Sequence, residues 1–326
     1  MFINEVSKET LGKYTPTPHP IMVAPSAETI ANIVKNKGID RACELLQLRE
    51  DKILAETMDP YRHGYEPDHW KIADGLLSDP AISELMIFGG NRASKTEYAA
   101  KRVAQYLSQN PNKRVWCIHT TNMSSVQMQQ PVVYKYLPAE YKTARKTKIT
   151  NVAFTQKNGF SDNTFVLPNK SQCWFLNQSQ DIKVIEGGEV DLIWIDEEIT
   201  ADWIKTLRYR TATRRGKMIL TFTPISGYTS VVKEYIAGAM ITKWLPASLL
   251  KDSINVPGGE RGTMPFQATC HNPSNRAIWF HSELNLYSPF SEIKRALHGR
   301  TNYEIKIRAY GWAESLSGSQ FPKFGN

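Results

Sequence analysis

Cysteine is scarce and never paired. Cys43, Cys117, Cys173 and Cys270 are scattered through 326 residues with no CxxC spacing. That leaves neither a disulfide framework nor a thiolate zinc site, and reduced thiols of a cytoplasm are the simplest reading. No apolar run reaches membrane length, and the opening MFINEVSKET has no signal-peptide core; no membrane partner is expected. Repeats and low-complexity tracts are also missing, which sets solenoids and disordered arrays aside. Acidic residues are the minority charge, 32 against 40 Lys and Arg, for a net charge of +8. A basic excess suits a polyanionic partner, because Lys and Arg replace the counterions on phosphates, although it also serves plain solubility.

What is present is an ordinary globular balance, 41% hydrophobic and 22% charged. The length suits one main domain with appendages, or two domains. Four prolines within 11–27 read as an extended leader, and 28–50 shows helical spacing broken at Gly38. Residues 59–70 read as a loop before a short helix at 70–77. From Leu85 the pattern changes to short apolar strands at 85–88, 114–119, 192–195 and 218–222, alternating with helical stretches after Thr96 and at 129–137. Continuous apolar strands of this kind are buried on both faces, so the expected fold is α/β with a mainly parallel sheet flanked by helices. Residues 164–167 and 172–176 read as a hairpin around a turn. Further on, a strand is placed at 278–282 and a helix at 291–298 stopped by Gly299. Thr301 and Glu304 form a capping box opening a last helix that ends near Gly311. The division is 1–58 for leader and helical segment, 59–245 for the core, and 246–326 for a lid or linker.

Strand 85–88 runs into Gly89-Gly90-Asn91-Arg92-Ala93-Ser94-Lys95-Thr96, and a helix follows. This approximates the phosphate loop G-x-x-x-x-G-K-[ST], in which backbone N–H groups and a helix N-terminus face phosphates. Gly89 or Gly90 opens the turn. Lys95 would carry its charge to the β- and γ-phosphates of ATP, and the Thr96 hydroxyl would bind Mg²⁺. Ser94 stands where glycine is usual. A side chain there is expected to be tolerated only with φ below zero and Cβ turned away from the phosphates. A glycine turn beside an unrelated Lys-Thr is the bland alternative.

The strand 192–195 ends in Asp196-Glu197-Glu198. Asp196 would hold Mg²⁺, and Glu197 would polarise the attacking water, which needs hydrogen-bond reach of that water. Glu198 competes for the role, and an acidic strand end that merely caps the next helix is the alternative.

Three segments together, GGNRASKTE, EGGEVDLIWIDEE and RGKMILTFTP, resemble in order the motifs of phage terminase large subunits, and QFPKF resembles the segment after which their nuclease domain begins. The resemblance spans residues 89–324; residues 1–60 carry no matching motif. It implies an ASCE-type P-loop ATPase fold with a lid subdomain. Lys95 and Thr96 would hold phosphate and Mg²⁺, Asp196 would hold Mg²⁺, and Glu197 would be the catalytic carboxylate. Arg92 would sense the γ-phosphate, and Thr221 and Thr223 would couple hydrolysis to DNA movement, although Thr223 also suits a simple turn cap beside Pro224. The implied partners are double-stranded DNA, the portal protein of the procapsid and a small terminase subunit. The active form would be a ring of five subunits, monomeric in isolation, working in the cytoplasm of the infected host and absent from the mature virion. No nuclease triad follows QFPKF, so DNA cleavage is not expected from this chain.

Basic clusters at Lys135, Lys142, Arg145, Lys146, Lys148 and at Lys205, Arg208, Arg210, Arg214, Arg215, Lys217 are candidates for DNA contact. Arg210, Arg214 or Arg215 is alternatively the arginine completing a neighbour's site. Tyr61, Arg62 and Trp70 precede the first strand, where an adenine-stacking segment often lies. Two rival functions remain. A helicase-like ATPase lacks room for its second RecA-like half after residue 245. A docking protein with a decayed loop is hinted at by Ser94 and opposed by Asp196-Glu197.

Overall fold

The computed structural model describes residues 25–142, 147, 149–246, 263–285, 287–288 and 290–313. Most of the 11–27 leader, the basic residues Arg145, Lys146 and Lys148, and QFPKF lie outside the described residues.

Two helices open the described chain, α1 (Ala27–Lys37) and α2 (Ile39–Met58). The Ser26 hydroxyl caps α1 by accepting from Thr29 N at 3.1 Å. The break falls at Gly38, whose φ of 84° suits glycine. A one-turn helix, α3 (Pro60–His63), stands where a loop is expected, and α4 (Asp68–Ser78) begins two residues early. Asp59 accepts from Arg62 N, and Pro60 takes the first helical position. One turn is too short to show a period, which is why sequence pattern alone reads this stretch as loop.

The core elements follow as β1 (Glu84–Gly89), α5 (Lys95–Gln109), β2 (Arg114–His119), a π-turn over Ser125–Gln129 and α6 (Gln130–Tyr136). A small pair, β3 (Phe154–Thr155) and β4 (Gly159–Phe160), precedes the hairpin of β5 (Thr164–Val166) and β6 (Gln172–Asn177). Then come β7 (Leu192–Asp196), α7 (Ala201–Ala212), β8 (Lys217–Phe222), α8 (Ser230–Ile236), β9 (Met240–Pro246), β10 (Thr263–Thr269), β11 (Asn275–Phe280), α9 (Phe290–Leu297) and α10 (Asn302–Tyr310).

One nine-stranded sheet, in the order β5-β6-β2-β7-β8-β1-β11-β10-β9, joins them. The pairs from β6 through β2, β7, β8 and β1 to β11 are parallel, and the flanks are antiparallel. The fold is therefore α/β with a mainly parallel sheet, as the apolar strands predict. Both faces are covered. Trp70, Tyr98, Val103, Leu107, Phe280 and Tyr310 pack on one face, and Phe88, Trp203, Leu207, Phe222, Val232 and Trp279 on the other. Each such burial is worth about 1.5–3 kcal/mol before the ordering entropy is counted.

The segment set apart at 246–326 contributes β10 and β11 to this same sheet, with β11 directly beside β1. The capping box forms: Glu304 N donates to Thr301 Oγ1 at 3.3 Å, and Thr301 N to Glu304 Oε2 at 3.0 Å. Gly311, at φ 67°, ends α10.

Candidate functional site

In a parallel sheet, loops leaving the carboxyl ends of neighbouring strands converge. Here β8 lies between β1 and β7. The loop after β1, the acidic end of β7 and the Thr-Phe-Thr end of β8 therefore meet at one edge, although they are far apart in sequence.

Gly89 to Thr96 wrap from β1 into α5. Gly90 N donates to Phe280 O at 3.1 Å and Asn91 N to Arg308 O at 2.6 Å. Among the described residues, the amides of Arg92, Ala93, Ser94, Lys95 and Thr96 have no acceptor. They form an open run of N–H donors at a helix N-terminus, the arrangement that binds phosphate. Gly90 is a steric necessity, because a Cβ there would lie 2.2 Å from Ala309 O.

Ser94 corrects the expectation of a negative φ. It sits in the left-handed region at φ 65°, the conformation glycine would supply. Arg92 is also left-handed, at 59°; its side chain is exposed and unpaired among the described residues.

Lys95 is buried. Its Nζ donates to Gly90 O at 2.8 Å, Thr223 Oγ1 at 3.0 Å and Gly89 O at 3.3 Å. Burial pulls the ammonium down to about 8 against the opposing charges of Glu197 and Asp196. Thr96 Oγ1 is 3.2 Å from both carboxylate oxygens of Asp196. Thr221 is wholly buried; its Oγ1 accepts from Trp194 Nε1 at 2.9 Å and donates to Asp196 Oδ1 at 2.8 Å.

Burial pushes Asp196 up to about 7, although Thr221, Lys95 and Thr96 all favour its charged form. Such a carboxylate beside a threonine hydroxyl is short of positive charge. Its hard oxygen donors suit Mg²⁺, which typically takes one or two protein oxygens and fills its shell with phosphate and water. Glu197 is exposed, at φ 77°, and its carboxylate has no hydrogen-bond partner among the described residues. Glu198, by contrast, is engaged by the Thr229 hydroxyl. The structure thus brings together Lys95, Thr96, Asp196, Glu197, Thr221 and Thr223, and leaves the Glu197 carboxylate available.

Sequence reasoning missed the residues that hold the loop from outside. Ser282 Oγ donates to Asn91 O at 2.6 Å, and Asn285 Nδ2 to Arg92 O at 2.5 Å. A lone Ser and Asn after a strand carry no motif, and only the pairing of β11 with β1 places them there. Trp70 is buried, with its indole N–H under the loop, so it offers no face for adenine stacking. Arg62 is held by Asp59 and Glu140.

Much of the basic patterning is structural. Lys135 pairs with Glu97, Arg208 with Glu84, and Arg214 with Asp191, while Lys217 donates to Leu77 O and Asp79 O. Arg215 is exposed and unpaired among the described residues, near the start of β8 and hence at the sheet edge opposite Lys95.

No helix among the described residues is long and apolar enough to cross a membrane. No family model matches the sequence, nor does any curated protein. Solved structures do. The ATPase domain of the Thermus phage P74-26 large terminase is 14% identical over 78% of this chain and 95% of that domain, with a TM-score of 0.50. The large terminase of a second thermophilic bacteriophage, solved in complex with ADP, is 12% identical over 71% of this chain, with a TM-score of 0.48. The chain spans about half the length (49%) of that second phage protein. The fold on which these loop, acidic and threonine residues converge is that of a phage large-terminase ATPase domain.

Proposed function

We propose that this chain is the ATP-hydrolysing motor of a phage DNA-packaging terminase, acting on double-stranded DNA in the cytoplasm of the infected host. The observation that carries the reading is the meeting of Lys95, Thr96, Asp196 and Thr223 within hydrogen-bond reach at one sheet edge, with Glu197 beside them.

The chemistry follows from these groups. The open amides of Arg92 to Thr96 receive the phosphates. Lys95 exchanges its loop carbonyls for β- and γ-phosphate oxygens, a better match for an ammonium. Thr96 and Asp196 would hold Mg²⁺, whose role when bound is to neutralise charge on the phosphates. Glu197 orients the water that attacks the γ-phosphorus and takes its proton, while the bond from phosphorus to the β–γ bridging oxygen breaks and ADP leaves. Arg92, exposed at the loop, would meet charge developing on the γ-phosphate. Thr223, whose Oγ1 accepts from Lys95 Nζ at 3.0 Å, ties the end of β8 to the lysine that meets the nucleotide. That tie is the proposed start of coupling to DNA.

The proposal extends to a portal protein and a small terminase subunit as partners, and to a five-membered ring, monomeric until gathered, in which an arginine such as Arg215 completes a neighbour's site. Phosphate release with Mg·ATP, measured with and without duplex DNA at rising protein concentration, tests the reading. Expected are weak hydrolysis that rises faster than linearly with protein, stimulation by DNA, and a loss in Arg215→Ala that spares nucleotide binding. No hydrolysis under any of these conditions sinks the motor.

A further inference from the structure

The residue that departs from the loop pattern is also the one fastened from beneath. Trp70, on α4 and only 2% exposed, donates its indole N–H to Ser94 Oγ at 3.0 Å, and His69 Nε2 lies 3.4 Å from the same oxygen. Among the described residues, Ser94 Oγ is the partner of Trp70 Nε1. The indole is itself fixed, with the Tyr98 ring 5.7 Å away edge-on and the Arg102 guanidinium 5.8 Å above it. Arg102 is held in turn by Asp74 of α4 and by Glu66. A left-handed serine is strained relative to glycine, because its Cβ crowds the following carbonyl oxygen. Strain of this kind persists only when the surroundings over-determine it.

We propose that Ser94 is a positioning residue for nucleotide binding. Its hydroxyl, held by Trp70 and His69, latches the phosphate loop to α4 and fixes the left-handed turn that aims the Ala93 to Thr96 amides. Glycine gives that turn freely but leaves it mobile; serine with a buried donor gives it already set. Preorganisation of this sort shows as affinity, because ordering is not required at binding.

This rests on the nucleotide-binding reading, and the test separates the two. Dissociation constants for a fluorescent ATP analogue are measured for wild type, Ser94→Ala, Trp70→Phe and the double variant. Ser94→Ala keeps the strained backbone, removes the acceptor and leaves a buried indole N–H unpaired. It is expected to weaken binding about tenfold, equivalent to about 1.4 kcal/mol. In the Trp70→Phe background, where the donor is already gone, the same substitution is expected to cost less than threefold. Equal costs in both backgrounds, or no cost in either, overturn the latch. Amide hydrogen exchange of the loop in the free protein is the second readout, read in the same four proteins. Exchange at Asn91 and Tyr98, whose amides donate to Arg308 O and Ser94 O on either side of the turn, is expected to quicken in both single variants without a comparable change in β7. Should wild type bind no nucleotide, the motor reading fails, while the exchange data still decide the latch: unchanged loop exchange in Ser94→Ala refutes it. Thermal unfolding of each variant confirms that the comparison is between folded proteins.

Discussion

Lys95 Nζ and Thr223 Oγ1, separated by 128 residues in sequence, are joined at 3.0 Å. The contact ties the phosphate loop to the end of β8 and gives a buried ammonium a side-chain partner. It also sets the first prediction. Lys95→Ala removes the cation and is expected to weaken nucleotide binding by about 2–3 kcal/mol or more, roughly 30- to 150-fold. Calorimetry returning wild-type affinity for the variant would take Lys95 out of the site.

Glu197 and Glu198 are adjacent but differently placed. Glu198 is engaged by Thr229, and the Glu197 carboxylate is unpaired among the described residues. Glu197→Gln is therefore expected to bind Mg·ATP while hydrolysis falls by about 10²–10⁴. Glu198→Gln should retain most activity and lose some thermal stability. A dead Glu198→Gln beside a normal Glu197→Gln would shift the catalytic assignment by one residue.

Thr221→Val keeps shape and removes the hydroxyl shared by Trp194 and Asp196. A buried indole N–H is then left without its acceptor, at about 1–3 kcal/mol. The melting temperature should fall by about 1.5–4.5 °C, given an unfolding entropy of about 2.1 cal/mol/K per residue over 326 residues. An unchanged melting curve would mean that this hydrogen bond contributes nothing net.

His281 is fully buried, its Nε2 bonded to Pro265 O at 3.1 Å, and burial pulls it down to about 4 from 6.5. Because the folded value lies below the unfolded one, the unfolded chain takes up the proton first as pH falls. Stability from this group is complete above about pH 6.5 and is lost towards pH 4. His281→Gln keeps a donor and cannot titrate. The stability difference between wild type and variant, from urea unfolding, should therefore move against wild type by about 1.4 kcal/mol per pH unit across that window. A pH-independent difference would show that His281 does not titrate there.

Much of the α/β core is written locally. Apolar runs such as 192–195 and 218–222 are buried strands in any arrangement that hides them, and Thr301 with Glu304 announces a helix start whatever surrounds it. The loop from Gly89 to Thr96 and the Asp196-Glu197 strand end are legible for the same reason: each motif is contiguous, and its chemistry follows from residue type and spacing. The order of strands is not local. Only the folded sheet places β8 between β1 and β7, and so brings Thr221 to Asp196 and Thr223 to Lys95. Only the pairing of β11 with β1 sets Ser282 and Asn285 against the loop. The conformation of Ser94 was likewise decided by tertiary structure. Sequence propensity favours a negative φ for serine, and the buried N–H of Trp70, 24 residues away, holds it in the opposite well.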